Sequence, residues 1–145
     1  MDVLSASAND DKIAWYENDG AADPSFTART ITTSADFARS VYAADIDNDG
    51  DMDVLSASFN DNKIAWYENN GATDPSFTPQ TITTSASGAI SVYAADVDND
   101  GDMDVLSASY NHDKITWYEN DGAADPSFTA RTLSLIHISE PTRPY

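Results

Sequence analysis

A period of 51 residues, four short strand-and-turn patterns in each period, and no sustained helical periodicity predict an all-β fold. The architecture that fits is a partial β-propeller of just under three four-stranded blades. Met1-Asp2-Val3-Leu4-Ser5-Ala6-Ser7 returns at 52–58 and again at 103–109. Residues 1–51 match 52–102 at 41 of 51 positions, and 1–30 match 103–132 at 27 of 30, so the register between units is beyond doubt. A repeat of this size points to blades, solenoid turns or an array, and four strands in about 50 residues suit a blade.

The elements follow in order within one unit. Ser40-Val41-Tyr42-Ala43-Ala44 reads as a short first strand, and residues 45–51 as a turn. Asp53 to Ser58 reads as a second strand of small residues suited to a crowded position. Asn60-Asp61-Asn62 turns the chain into a third strand, Lys63 to Glu68, rich in β-branched and aromatic residues. Asn69-Asn70-Gly71 is a strong turn signal, and a fourth strand is expected from about Phe77 to Thr83. In the third strand Ile64 and Trp66 point to one face and Ala65 and Tyr67 to the other. Both faces are at least partly apolar, as they must be when a blade is packed between two neighbours.

The organisation expected is blades over 1–132, as units 1–51, 52–102 and a shorter 103–132, with 133–145 as a non-native tail. Met1 occupies the same mid-unit position as Met52 and Met103, so the gene product is expected to begin upstream, with any signal peptide. After Thr132 the repeat stops. None of the residues 134–145 matches its counterpart in either earlier unit, and the run 133–143 resembles translated sequencing-adapter sequence. His137 is accordingly not read as a ligand or a base.

The chain has 145 residues with 25 acidic and 7 basic side chains, a formal charge of -18. That field repels nucleic acid and anionic membrane surfaces and attracts cations. A hydrophobic content of 41% is too rich for a disordered acidic chain. With no cysteine, disulfides and thiolate metal sites are excluded. No apolar run approaches the length of a membrane span.

The strongest motif is Asp45-x-Asp47-x-Asp49-Gly50-Asp51-x-Asp53, repeated as Asp96-x-Asp98-x-Asp100-Gly101-Asp102-x-Asp104. Calcium takes six to eight oxygens in a flexible shell, which alternating carboxylates in a tight loop supply. Five aspartates in nine residues repel one another unless a cation sits among them. By analogy with other calcium loops of this spacing, positions 1, 3, 5 and 9 are expected to give side-chain oxygens. Position 7 (Asp51, Asp102) would give its backbone carbonyl, leaving its carboxylate free. The bland alternative is a solvated acidic turn. An EF-hand needs a Glu at position 12, where Ser56 and Ser107 stand, and flanking helices, so that reading fails.

The run from Ala44 to Leu55, its copy from Ala95 to Leu106, and the Trp-Tyr-Glu-Asn strand resemble the FG-GAP/VCBS repeat family, whose blades form the integrin-α-like β-propeller. The resemblance covers 1–132. It implies a calcium loop between the first two strands of a blade and an extracellular or cell-surface location, and the cysteine-free, acidic composition is compatible with a bacterial source. Asp2 is then the remnant of a third loop, and about two complete Ca2+ sites are expected.

Trp15, Trp66 and Trp117, each followed by Tyr, are either sugar-stacking platforms or inter-blade core, and core is the reading adopted. Lys12, Lys63 and Lys114 read as local charge partners of the adjacent acidic turns. Enzyme chemistry has little footing. His112 is the only histidine within the repeats, standing where Asp10 and Asp61 stand, and no Gly-rich phosphate loop is present. The function expected is therefore a non-catalytic calcium-binding adhesion module for a protein or glycan partner. The alternatives are an accessory propeller of a secreted polysaccharide-active enzyme and a structural spacer in a surface protein. The isolated chain, with open end faces, is expected to be marginally stable or to self-associate, and its expected partners are the missing blades of the same propeller or further copies of itself.

Overall fold

The computed structural model describes residues 1–133. Of the expected tail, residues 134–145 and with them His137 lie outside the described residues. The described residues contain eleven strands and no helix: β1 (Val3–Ser7), β2 (Lys12–Asn18), β3 (Phe26–Thr32), β4 (Ala38–Ala44), β5 (Asp53–Ser58), β6 (Lys63–Asn69), β7 (Phe77–Thr83), β8 (Ala89–Ala95), β9 (Asp104–Ser109), β10 (Lys114–Asn120) and β11 (Phe128–Thr132). They form three antiparallel sheets. The first holds β1-β2-β3, the second β4-β5-β6-β7 and the third β8-β9-β10-β11, each a meander in chain order. The sheets do not close on one another, and the all-β, partial-propeller class is what the structure has.

The second and fourth strands of the middle unit fall where the sequence put them. β4 starts two residues earlier than expected because its pairing with β5 continues across a bulge at Arg39 to Ala38, which stands opposite Ser58. A matching bulge lies between Ala89 and Ser91 in β8. The turn before β6 closes through Asn62, which adopts φ 57°, a left-handed conformation that asparagine tolerates. Its side-chain oxygen accepts the Gly88 N–H at 2.9 Å, so the same residue ties the turn to the start of the next sheet.

Two apolar layers hold the sheets together, and the middle sheet contributes to both. Leu55, Ala57, Ile64 and Trp66 pack with Ala89, Val92, Ala94, Val105 and Tyr118 of the third sheet. Val54, Ala65 and Tyr67 pack with Ile13 and, more loosely, Leu4 and Ala6 of the first. β6 thus divides as the alternation predicts: Ile64 and Trp66 face forward along the chain, Ala65 and Tyr67 backward. Trp66 is 3% exposed. Burying an indole of this size contributes on the order of 3 kcal/mol by area alone. Tyr67 places its hydroxyl 3.2 Å from Ser56 Oγ, and Tyr118 repeats the bond with Ser107. Each buried phenol therefore has its polar partner on the neighbouring strand.

The tryptophans at the two ends are less enclosed. Trp15 meets Phe77 edge to face at 6.3 Å, and Arg29 stacks over it at 5.5 Å. Arg131 stacks over Trp117 at 5.6 Å. Gln80 stands opposite Trp66 where these arginines stand in the outer sheets.

Candidate metal centre

Each acidic loop joins the first strand of a sheet to the second: 45–52 between β4 and β5, 96–103 between β8 and β9. The loop is held by its own aspartates. Asp45 accepts the Asp49 and Gly50 N–H groups at 3.1 and 3.0 Å, and Asp96 does the same for Asp100 and Gly101 at 3.1 and 2.9 Å. Asp49 Oδ1 accepts the Asp51 N–H at 2.8 Å. Two residues in each loop take positive φ: Asn48 and Gly50 at 62° and 95°, Asn99 and Gly101 at 66° and 97°. The wide φ of Gly50 is one that a side chain makes costly, which explains the glycine inside the motif.

This curl turns carboxylates inward. Oxygens of Asp45, Asp47 and Asp49 lie within 4.8 Å of one another, as do those of Asp96, Asp98 and Asp104. Either group can hold a metal ion. Taken by position, the two groups together use 1, 3, 5 and 9 of the motif. Asp100 lies beside Asp98, whose carboxyl is raised by burial and by the charges of Asp100 and Asp104.

Position 9 is the anchor. Asp53 and Asp104 are fully buried. Asp53 Oδ2 accepts the Ile46 N–H at 2.9 Å and Oδ1 the Asn69 N–H at 2.8 Å. Asp104 repeats this with Val97 at 3.0 Å and Asn120 at 2.8 Å. Burial pushes the Asp53 carboxyl up to about 6, against the pull of those two backbone bonds and with a push from Asp47 and Asp49. Burial likewise raises Asp47, helped by Asp49 and Asp45. Carboxylates crowded until ionisation is costly are a site prepared for positive charge.

Position 7 turns away. The Asp51 carboxylate sits against Gly71 in the turn between β6 and β7, where a Cβ would meet Asp51 Oδ2 at 2.1 Å. Asp102 sits against Gly122 in the same way, at 2.2 Å. Its Oδ1 also accepts the side-chain amide of Asn48 at 2.8 Å. Sequence reasoning missed this use of Gly71 and Gly122, although both glycines recur at the same unit position.

In the first unit Asp2 is the position-9 counterpart. Its Oδ1 accepts the Asn18 N–H at 3.0 Å, as its counterparts do, but its Oδ2 accepts Trp15 Nε1 at 2.9 Å. Lys12 and Lys63 pair with Asp10 and Asp61 at 3.1 and 2.9 Å. The Lys12–Asp10 pair is exposed and worth a few tenths of a kcal/mol, on the order of 1 kcal/mol at most, whereas the Lys63–Asp61 pair is half-buried.

No helix among the described residues is long and apolar enough to cross a membrane. A family model, the FG-GAP-like repeat, matches residues 1–56 and 47–107. No curated protein and no solved structure matches the chain.

Proposed function

Because the chain belongs to the FG-GAP-like repeat family, we propose that this β-propeller repeat module binds calcium and works outside the cell, without catalysis, in adhesion to a protein or glycan. The observation that carries the calcium reading is the convergence of three carboxylates in each of two equivalent loops. Asp45, Asp47, Asp49 and Asp53, and Asp96, Asp98, Asp100 and Asp104, would hold the ions by side chain, with Asp51 and Asp102 offering backbone carbonyls. Oxygen-only donors at this charge density suit a hard divalent cation. Bound there, calcium neutralises the crowded carboxylates and ties the strand on either side of the loop to one point.

The extracellular reading is supported by the same chemistry. Extracellular calcium modules bind at about 10⁻⁴–10⁻³ M, so such loops fill outside a cell and stay empty in a cytoplasm. Adhesion is supported by the architecture, since rigid stacked sheets present loops at fixed spacing.

The test is a calorimetric titration with calcium on the chain and on Asp47→Ala and Asp98→Ala. Loss of one site in each variant supports the assignment. Unchanged stoichiometry in both variants contradicts it. Retention on a glycan or matrix-protein array only when calcium is present would carry the adhesion reading, and an array blank in both states would remove it.

A further inference from the structure

The first strands of the second and third sheets, β4 and β8, lie against each other without pairing: β4 bonds to β5 and β8 to β9. Where they meet, the Val92 N–H donates to Ser40 Oγ at 3.2 Å. Next along the same strands stand Tyr42 and Tyr93, one 51-residue period apart. Their ring centroids are 4.5 Å apart and their planes meet at 47°. Among the described residues no other ring contact joins two tyrosines.

That separation is at the short limit of the roughly 4.5–7 Å range in which unlinked aromatic rings pair. Two phenols joined through the carbons ortho to their hydroxyls hold their centroids at close to this distance, with a comparable twist between the planes. The hydroxyl ends lie together, since hydrogen bonding to Tyr93 raises the Tyr42 phenol above its ordinary value. Rotation about the side-chain torsions therefore brings the ortho carbons into contact. Tyr42 rests on the buried cluster between the sheets, whereas Tyr93 is 50% exposed. One ring is held in place and the other is open to a reagent. Tyr67 and Tyr118 differ on both counts, being buried with their hydroxyls bonded to Ser56 and Ser107.

We propose that Tyr42 and Tyr93 form an oxidative cross-linking site, where a haem peroxidase using hydrogen peroxide joins the second and third sheets through a dityrosine bond. Each phenol gives up one electron and its hydroxyl proton. The two phenoxyl radicals couple by a carbon–carbon bond between ortho positions. The hydrogens on those carbons then move to the oxygens, which restores both phenols. The net loss is two electrons and two protons, and hydrogen peroxide takes them up as it becomes two waters. With no cysteine in the chain, a disulfide cannot serve here. The new bond closes a loop of one period across an interface that has no strand pairing. It stabilises the fold by restricting the unfolded chain, as a disulfide does. The site is independent of the calcium reading.

The experiment treats the full chain with hydrogen peroxide and a haem peroxidase, then measures dityrosine fluorescence, intact mass and the linked peptides. Tyr42→Phe, Tyr93→Phe and Tyr110→Phe are treated identically. The expected product is a single chain lighter by two hydrogens, with residues 42 and 93 in one linked peptide. Its share of the total should not change on dilution. Tyr42→Phe and Tyr93→Phe keep the ring packing and should abolish it, whereas Tyr110→Phe, which removes a more exposed phenol, should leave it unchanged. The linked chain should also melt higher than treated Tyr93→Phe. No dityrosine, dityrosine only between chains, or an intrachain link that survives Tyr93→Phe overturns the proposal. A linked chain that melts no higher than treated Tyr93→Phe overturns the stabilising role.

Discussion

The side-chain amide of Asn48 donates to the Asp102 carboxylate at 2.8 Å, joining two acidic loops whose partners stand 54 residues apart. Asp102 is the position-7 aspartate of its own loop and is pressed against Gly122. One carboxylate thus ties its loop to two others: the loop of the preceding sheet and the turn after β10. Its place explains why a motif with nine-residue spacing carries an aspartate that joins neither convergent carboxylate group.

That contact makes Gly122 a sensitive position. Gly122 and Gly20 have nearly the same φ, 71° and 74°, so an added side chain strains both backbones alike. Only at Gly122 would the new Cβ displace a carboxylate, since nothing lies within 4 Å of Gly20. Gly20→Ala is expected to cost about 1 kcal/mol. Gly122→Ala should cost more and should also weaken calcium at the Asp96–Asp104 loop. Denaturant melts of the two variants, with and without calcium, check both statements.

The aspartates of a loop differ in what they do without an ion: Asp53 anchors two backbone N–H groups, and Asp47 anchors no core backbone. Asp53→Ala leaves the Ile46 and Asn69 N–H groups without their acceptor in the core. A loss of about 2–4 kcal/mol is expected, in chelator as well as in calcium. Asp47→Ala removes a half-buried carboxyl from a crowded group, so in chelator it should change stability little while abolishing calcium stabilisation of that loop. Urea unfolding of each variant in the two conditions distinguishes the roles.

The pH dependence has a definite sign. The folded state holds the Asp53 carboxyl at about 6, above its ordinary 3.8, so the folded chain binds more protons in that interval. Without calcium, the contribution of this group to stability is greatest below 3.8 and falls as pH rises through about 6. Calcium requires the ionised carboxylate, so affinity should rise across the same window. Comparing calcium titrations of the native chain and Asp53→Asn across this range isolates the effect from the general repulsion of an acidic protein.

Among the tryptophans, Trp66 is expected to matter most for stability. It lies buried between the second and third sheets, and Trp66→Ala should cost about 3–5 kcal/mol. Trp117→Ala, in a sheet whose forward face is more open, should cost less. Equal losses in chemical denaturation would mean that the forward face of the third sheet is as well covered as that of the second.

Much of this was legible before any coordinates. The alternation of Ile64, Ala65, Trp66 and Tyr67 sorted the four residues onto two apolar faces, because strand period leaves no freedom there, while the packed sheets decide which neighbour each face meets. Strand β5 was legible to the residue, since turn signals bound it on both sides. The early start of β4 was not, because a bulge at Arg39 is a backbone adjustment without a residue signature. The placement of Asp51 and Asp102 against glycines of a distant turn was not legible either. Local spacing says where a side chain begins, whereas its end is set by which turn the fold brings alongside.

The most direct test of the account is the thermal melt of the chain with calcium and with chelator, paired with a calorimetric count of sites. A ligand held only by the folded state raises its melting temperature. The account predicts a melt raised by calcium and about two sites, one for each complete loop. An identical melt in both conditions, with no heat of binding at millimolar calcium, would contradict it and leave the ten loop aspartates as a solvated acidic surface.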